Sequence, residues 1–409
     1  MRLRVVLLVW GLSAVPAAAV SPDPRDLVIP PQELSRARDL VRQLSSDTFR
    51  DRERAQRELA AMGRLARPVL AAAAQADPDP EVRFRCARLL PRAAADDLRA
   101  RTEAFLADAE GKFDHDLPGW KKFRTAVGAD GPARALFVEI LKSGANGELL
   151  AAVDRPVEEA GRAIADRRNL MFAQIQQRQI RPLDGSVPAS SLTLPDVATL
   201  LFAESVVPGK DVPRIGQFGF FVSGANFLQQ PAAKAAIDTT GTPHADAYRK
   251  ILARWLDTRT APDELSNFTL LSAAHQLRAV EGTTPLLRRA VRTEGVQGFA
   301  KAYAMTYLVQ RNGKDELPLL KSRLDDTTGV GVGNNNGVTL QVRDVALALS
   351  AHATGQDLKS YGFDFPHGNN PAVVTNYPSG YGFSSDEKRD AAHRKWREWE
   401  ATPRKDEKR

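Results

Sequence analysis

A frame of small residues, leucines and prolines recurs at a fixed interval in this chain, and stacked helical hairpins explain it. From Phe49 to Leu90 the sequence reads FRDRERAQRELAAMGRLARPVLAAAAQADPDPEVRFRCARLL. Ala55 and Leu59, four residues apart, share one helix face. Gly63 can end that helix in the left-handed conformation. A short second helix carries Pro68 and Leu70, and Asp79-Pro80 opens a third, with Asp as N-cap and Pro in the first turn. The frame returns in AKAYAMTYLVQRNGKDELPLLKSRLDD. Ala304 and Leu308 follow Ala55 and Leu59 by 249 residues, and Pro318 and Leu320 follow Pro68 and Leu70 by 250. Val342-Arg343 follow Val82-Arg83 by 260, the excess falling in the glycine-rich stretch Gly329 to Gly337. Closer copies exist too. Ala273 and Leu277 precede Ala304 and Leu308 by 31, Pro285 precedes Pro318 by 33, and Arg52, Arg54 and Ala55 precede Arg83, Arg85 and Cys86 by 31.

A helix-turn-helix pattern with a period of 31 to 33 residues is the sign of an α-solenoid. One helical pair cannot bury its apolar face alone, so neighbours stack into a continuous core. The expected fold is all-α: a HEAT-like α-solenoid (armadillo-type superhelix) with irregular insertions and a C-terminal capping helix. Hydrophobic residues make up 43% of the chain and aromatic residues 7%, with Ala, Leu and Arg abundant. That mix favours helices over strands.

The N-terminus reads as a signal peptide. Arg2 and Arg4 supply the positive region, Val5 to Val15 an apolar stretch too short to span a bilayer, and Pro16-Ala17-Ala18-Ala19 a small-residue cleavage site. Cleavage after Ala19 leaves no stable membrane span and removes two arginines and no acid, so the formal charge falls from +7 to +5. That modest balance gives no reason to expect nucleic acid. Cys86 is the single cysteine, so no intramolecular disulfide can form and the core must hold the exported chain. Cys86 takes the frame position of Ala55 and Ala346, a small inward slot where a thiol is buried and inert.

The expected organisation is a signal peptide over 1–19, an extended linker over 20–32 and HEAT-like repeats over 33–94. A helical middle region follows over 95–230, with an irregular insertion around 183–230. HEAT-like repeats resume over 231–354, followed by a loop and capping helix over 355–400 and a charged tail over 401–409. Within the middle, helices are predicted over Leu98 to Ala109, Pro132 to Leu141, Val157 to Gln179 and Leu194 to Val207. Leu117-Pro118-Gly119-Trp120 reads as a turn with an aromatic plug. Leu183 to Ser191 reads as an excursion, and Ile215 to Asn226 as a buried loop or packing corner. Helices are also expected over about Ala232 to Ile237 and Ala245 to Leu256. Near the end, Tyr361-Gly362-Phe363 and Tyr381-Gly382-Phe383 bracket a Pro/Asn-rich loop. Ser384, three residues before Glu387, signals a capping box, and the helix after it puts Ala392, Trp396 and Trp399 on one face.

The segments LPGWKKFRTAVGADGPARALFVEIL, VRDVALALSAHATGQDLKSYGF and GFSSDEKRDAAHRKWREW resemble exported HEAT-repeat proteins common in planctomycete bacteria. The resemblance covers most of the mature chain, with the three blocks in this order. It implies an armadillo-type solenoid in the periplasm or cell envelope, and brings no catalytic residue with it.

Local motifs for chemistry are weak. Asp114-His115-Asp116 is the nearest approach to a metal cluster, but adjacent residues rarely converge on one ion. His244, His275, His352, His367 and His393 lack a ligand spacing. The glycine-rich stretch 329–337 follows a helix rather than a strand and lacks GK[ST], so it reads as an insertion and not a phosphate cradle. Ser385 and Lys388 fit SxxK without the companion elements. No catalytic, cofactor-binding or metal-binding residue is assigned, and no cofactor is expected. The leading expectation is a non-enzymatic scaffold or adaptor that binds a protein or peptide partner in the cell envelope. Two alternatives are an envelope hydrolase with a site in residues 183–230, and a binder of an acidic envelope polymer.

Overall fold

The computed structural model describes residues 20–179, 192–213, 223–239, 241, 243–278, 280–331, 338–364 and 380–402. The signal-peptide reading, the 183–191 excursion and residues 214–222 therefore lie outside the described residues. So do most of the glycine-rich loop, the Pro/Asn-rich loop and the last seven residues. The fold is all-α. Among the described residues the extended pairing is limited to isolated bridges, Gly329 with Gln341 and Thr339 with Phe383. No helix there is long and apolar enough to cross a membrane. The chain divides into two compact units, Met1–Leu117 and Pro118–Arg409.

The first unit holds α1 (Pro31–Gln43), α2 (Phe49–Met62), α3 (Arg67–Ala76) and α4 (Pro80–Ala107). Its core is built from the frame residues: Ala55, Leu59, Leu70, Val82 and Cys86 are buried together with Ala37, Leu40 and Leu44. Cys86 is fully covered, and burial pushes its thiol up to about 11. It is therefore un-ionised at neutral pH, as the inward slot requires. Asp79 caps α4 by accepting from the Glu81 N–H at 2.8 Å. The register of 31 is visible in hydrogen bonds. Arg52 donates to the carbonyls of Ser46 and Asp47, six and five residues back, and Arg83 does the same to Asp77 and Pro78.

Two local expectations change. The separate helix over Leu98 to Ala109 does not exist; α4 runs unbroken from Pro80 to Ala107 through Pro91. Pro91 is exposed, so its ring faces solvent and the missing N–H removes a single ladder bond, while packing against α3 keeps the helix whole. The first compact unit ends at Leu117. Gly63 does have positive φ (53°), but its ψ of −124° is far from the left-handed helical region. Gly313, at the matching frame position, repeats this conformation with φ 58° and ψ −127°. At both places a four-residue 3₁₀ turn follows, then a helix with proline in its first turn.

The second unit begins with α5 (Trp120–Val127), α6 (Gly131–Leu141), α7 (Gly144–Ala152), α8 (Val157–Gln179) and α9 (Leu194–Val206). It continues with α10 (Pro231–Asp238), α11 (Ala245–Asp257), α12 (Pro262–Leu265), α13 (Phe268–Gln276) and α14 (Thr283–Arg292). It closes with α15 (Gly298–Asn312), α16 (Leu317–Lys321), α17 (Val342–Ala353) and α18 (Asp386–Ala401). Trp120 is buried, and Phe123 lies 5.1 Å from both Phe137 and Phe202, ring centre to ring centre. These side chains join α5, α6 and α9 through large apolar contacts. Ala304, Leu308, Leu320 and Val342 are buried like their first-unit counterparts.

The C-terminal end of this unit is tied by one polar knot. Arg389 on α18 and Asp344 on α17 are both buried, with Nε 3.0 Å from Oδ1. Arg389 also donates to Thr339 Oγ1 at 2.6 Å and to the Asp386 carboxylate, and its guanidinium lies over the Phe383 ring. Phe363 meets Tyr381 and Phe383 at 5.9 and 4.9 Å, so the two Tyr-Gly-Phe motifs close one buried cluster. The cap of α18 is Ser385, accepting from the Lys388 N–H, one residue later than the expected Ser384. Ala392 and Trp396 face inward as expected, and Trp399 is half-buried.

Candidate docking surface

Four rings form a stripe on the face shared by α13 and α15. Phe268 and His275 are seven residues apart on α13, and Tyr303 and Tyr307 four apart on α15, so each pair lies along one side of its helix. Phe268 packs edge-on against Tyr303 at 4.9 Å, Tyr303 lies 5.9 Å from Tyr307, and Tyr307 stacks on His275 at 4.2 Å. Phe268 is 45% exposed, and the other three rings are half-buried. A side-chain hydrogen bond joins Tyr307 to Ser272, and burial raises the Tyr307 pKa despite it. At the rim, Gln229 donates to Gln276 at 2.7 Å.

Arg311 holds the stripe in place from below. Its guanidinium donates to the Ala274 carbonyl at 2.7 Å and to the Thr283 and Thr284 hydroxyls at 2.9 Å each. These bonds fasten α15 to the end of α13 and the start of α14, which fixes the ring register. The His275 pKa is lowered, first by burial and then by the cations Arg278 and Arg311. Among the described residues its buried Nδ1 has no hydrogen-bond partner. The neutral ring is therefore the form that stacks at pH 7. Because the folded pKa lies below the ordinary value of about 6.5, the folded chain resists a proton that the unfolded chain accepts. The stabilisation is whole above that ordinary value and declines as pH falls toward the lowered one. In a proton NMR titration, the His275 ring is expected to show a midpoint below that of a free imidazole; a midpoint at or above it contradicts the stacking account.

The stripe departs from the frame in an informative way. Tyr303 and Tyr307 sit 249 residues after Arg54 and Glu58. In α2 those two positions are solvated charges, with side chains 58% and 41% exposed. The frame marks the swap of two charged surface residues for two tyrosines, the one signal of the stripe that the sequence carries.

The residues weighed earlier for chemistry are placed as follows. Asp114 and Asp116 are exposed, whereas His115 is buried and its Nε2 lies 3.1 Å from Asp108, so the triplet does not converge. Among the described residues no group of three His, Cys, Asp or Glu side chains is arranged to hold a metal ion. In the middle region, the Glu204 carboxylate accepts from Arg168 Nε and Trp255 Nε1, both at 2.6 Å. Asp196 accepts from Arg167 at 2.7 Å and from Asn146 at 3.1 Å. Both carboxylates are taken up by ion pairs inside the fold. Lys388 Nζ is engaged by Asp364 at 2.7 Å and Ser384 Oγ at 2.9 Å. The ends of the glycine-rich stretch are clamped, with Val330 N–H donating to the Leu340 carbonyl at 2.9 Å. His244 precedes α11 with a positive φ of 66°, His352 is exposed on α17, and His393 lies 3.8 Å from Asp344. His367 lies outside the described residues. The arginines of α14 are largely spent on structure: Arg288 pairs with buried Glu316 at 2.6 Å, and Arg289 bonds the carbonyls of Leu256, Asp257 and Arg259. Comparison of the chain with protein-family models, curated proteins and solved structures gave no match.

Proposed function

We propose that this chain is an exported scaffold of HEAT-like repeats that holds an extended segment of a partner protein in the cell envelope. The repeat frame, the paired glycine conformations at Gly63 and Gly313 and the resemblance to exported planctomycete HEAT-repeat proteins support the solenoid and export parts of this reading. The observation that carries the docking part is the ring stripe Phe268–Tyr303–Tyr307–His275. Aromatic residues supply large contact area at low entropic cost and dominate binding energy at protein interfaces. Contacts of 4.9, 5.9 and 4.2 Å link the four rings into one continuous strip, a linear surface that suits an extended segment. Such a segment lays alternate side chains along the stripe.

The test is recovery of partners from the envelope fraction with the parent chain and with a Phe268→Ser, Tyr303→Ser variant. Both rings are at least partly exposed, so the helical circular dichroism spectrum is expected to be unchanged. At least one protein is expected to co-purify with the parent and to fall tenfold or more with the variant. Equal recovery, or a partner whose retention responds only to salt, sinks the peptide-docking reading; the salt-only outcome points to charge on the helix faces instead.

A further inference from the structure

The first unit contains a pocket of about 450 Å³ that the docking reading does not use. One wall is apolar: Leu27, Val28 and Ile29 from the segment before α1, Leu34 from α1, and Pro68 from α3. That N-terminal segment is held in place. Asp23 caps the 3₁₀ turn Pro24–Leu27, and Arg64 donates to the Leu27 carbonyl at 2.8 Å. Arg67, Arg101 and Asp97 also line the pocket. A single oxygen of Asp97, Oδ2, accepts from Arg67 Nη1 and lies beside Arg101 Nε, both at 2.9 Å. Arg101 Nη1 also donates to the Asp116 carbonyl at 3.2 Å. The Asp116 carboxylate, 3.9 Å from Arg101, is fully exposed on the rim. At the end of the pocket His115 is buried, its ring edge-on to Phe105 at 5.3 Å.

Two arginines and two carboxylates line this pocket, and the carboxylates differ in setting: Asp97 lies beneath the arginines, while Asp116 stands out in water on the rim. Asp97 is nearly covered and already shared by two cations, so it offers nothing to a positive ligand. Arg67 and Arg101 are about 40% exposed, and among the described residues Arg67 Nε and Nη2 and Arg101 Nη2 meet no acceptor. Asp97 anchors both guanidiniums, so a ligand anion meets donors whose rotamer freedom is already lost. The apolar wall also meets water, with Val28 at 71% exposure. A bare inorganic anion leaves that wall wet, and a purely apolar ligand leaves the donors unused. We propose that the pocket binds a carboxylate carried on a compact apolar group. Two sources share that chemistry: an apolar C-terminal residue of a polypeptide, and a free short-chain carboxylic acid.

Isothermal titration of the full-length chain with N-acetyl-leucyl-leucine, the same dipeptide as its C-terminal amide, octanoate and octanol separates the outcomes. The dipeptide acid is expected to bind at least tenfold more tightly than its amide if the source is a chain terminus. Octanoate is expected to exceed both octanol and the dipeptide if the source is a free acid; either result supports the proposal. Arg67→Gln with Arg101→Gln is expected to weaken the acid tenfold or more. Val28→Asp, at an exposed position, is expected to do the same by placing a negative charge in the apolar lining. No heat from either acid, equal binding of acid and neutral partner, or full binding by Val28→Asp overturns the proposal.

Discussion

Replacing Arg389 with alanine is expected to destabilise the second unit by about 3–5 kcal/mol, because it leaves the Asp344 charge buried and unpaired. Asp344 is fully buried and Arg389 nearly so, and the same guanidinium also serves Thr339, Asp386 and the Phe383 ring. One side chain thus joins α17, α18 and the paired Tyr-Gly-Phe segments. Urea unfolding followed by circular dichroism measures the effect. Replacing both partners with apolar residues, Asp344→Leu with Arg389→Met, is expected to recover much of the loss, since the desolvation penalty disappears with the pair. A loss under about 1 kcal/mol for Arg389→Ala, the size of an exposed pair, contradicts the buried knot.

Trp255→Ala is expected to cost a similar amount, about 3–5 kcal/mol, from lost burial and the cavity left behind. Trp255 is 1% exposed on α11, with its indole N–H on the Glu204 carboxylate and Arg259 over its ring. The site is closely fitted on the far side too. A Cβ on Gly224 would stand 2.7 Å from a Glu204 oxygen and 3.1 Å from the Trp255 ring. Trp255→Phe separates the two contributions, keeping most of the volume and removing the donor, with about 1–3 kcal/mol expected for the unsatisfied carboxylate. Near-ultraviolet dichroism and thermal melting check both variants; a melting point unchanged in Trp255→Ala contradicts the packing of α9 on α11.

What was legible in the sequence was whatever depends on neighbours within a turn or two or recurs at the repeat interval. The span Val157–Gln179, the Asp79 cap and the inward slot of Cys86 follow from local periodicity and the repeat register. Gly161 shows the limit. A glycine inside a helix reads as a defect costing about 1 kcal/mol against alanine, yet a Cβ there would lie 2.0 Å from the Asp211 carbonyl oxygen. The reason for that glycine sits fifty residues away. Arg389 and Asp344 fail to announce themselves in the same way, because each alone reads as a solvated helix charge and burial is decided by the other. Pro91 shows the opposite error: the local rule stops a helix there, and packing carries it on. The ring stripe is intermediate, since Tyr303 and Tyr307 stand out when compared with Arg54 and Glu58 across the frame.

The proposed docking on that stripe is tested most directly by site-specific photo-cross-linking in intact cells. A photoreactive phenylalanine derivative placed at Tyr303 keeps an aromatic ring in the stripe, and the same residue at exposed Leu170 serves as control. A discrete adduct with one protein chain is expected at position 303, absent at 170 and competed away by the partner's own segment. No adduct at 303, or the same smear at both positions, contradicts a scaffold that holds a peptide along α13 and α15.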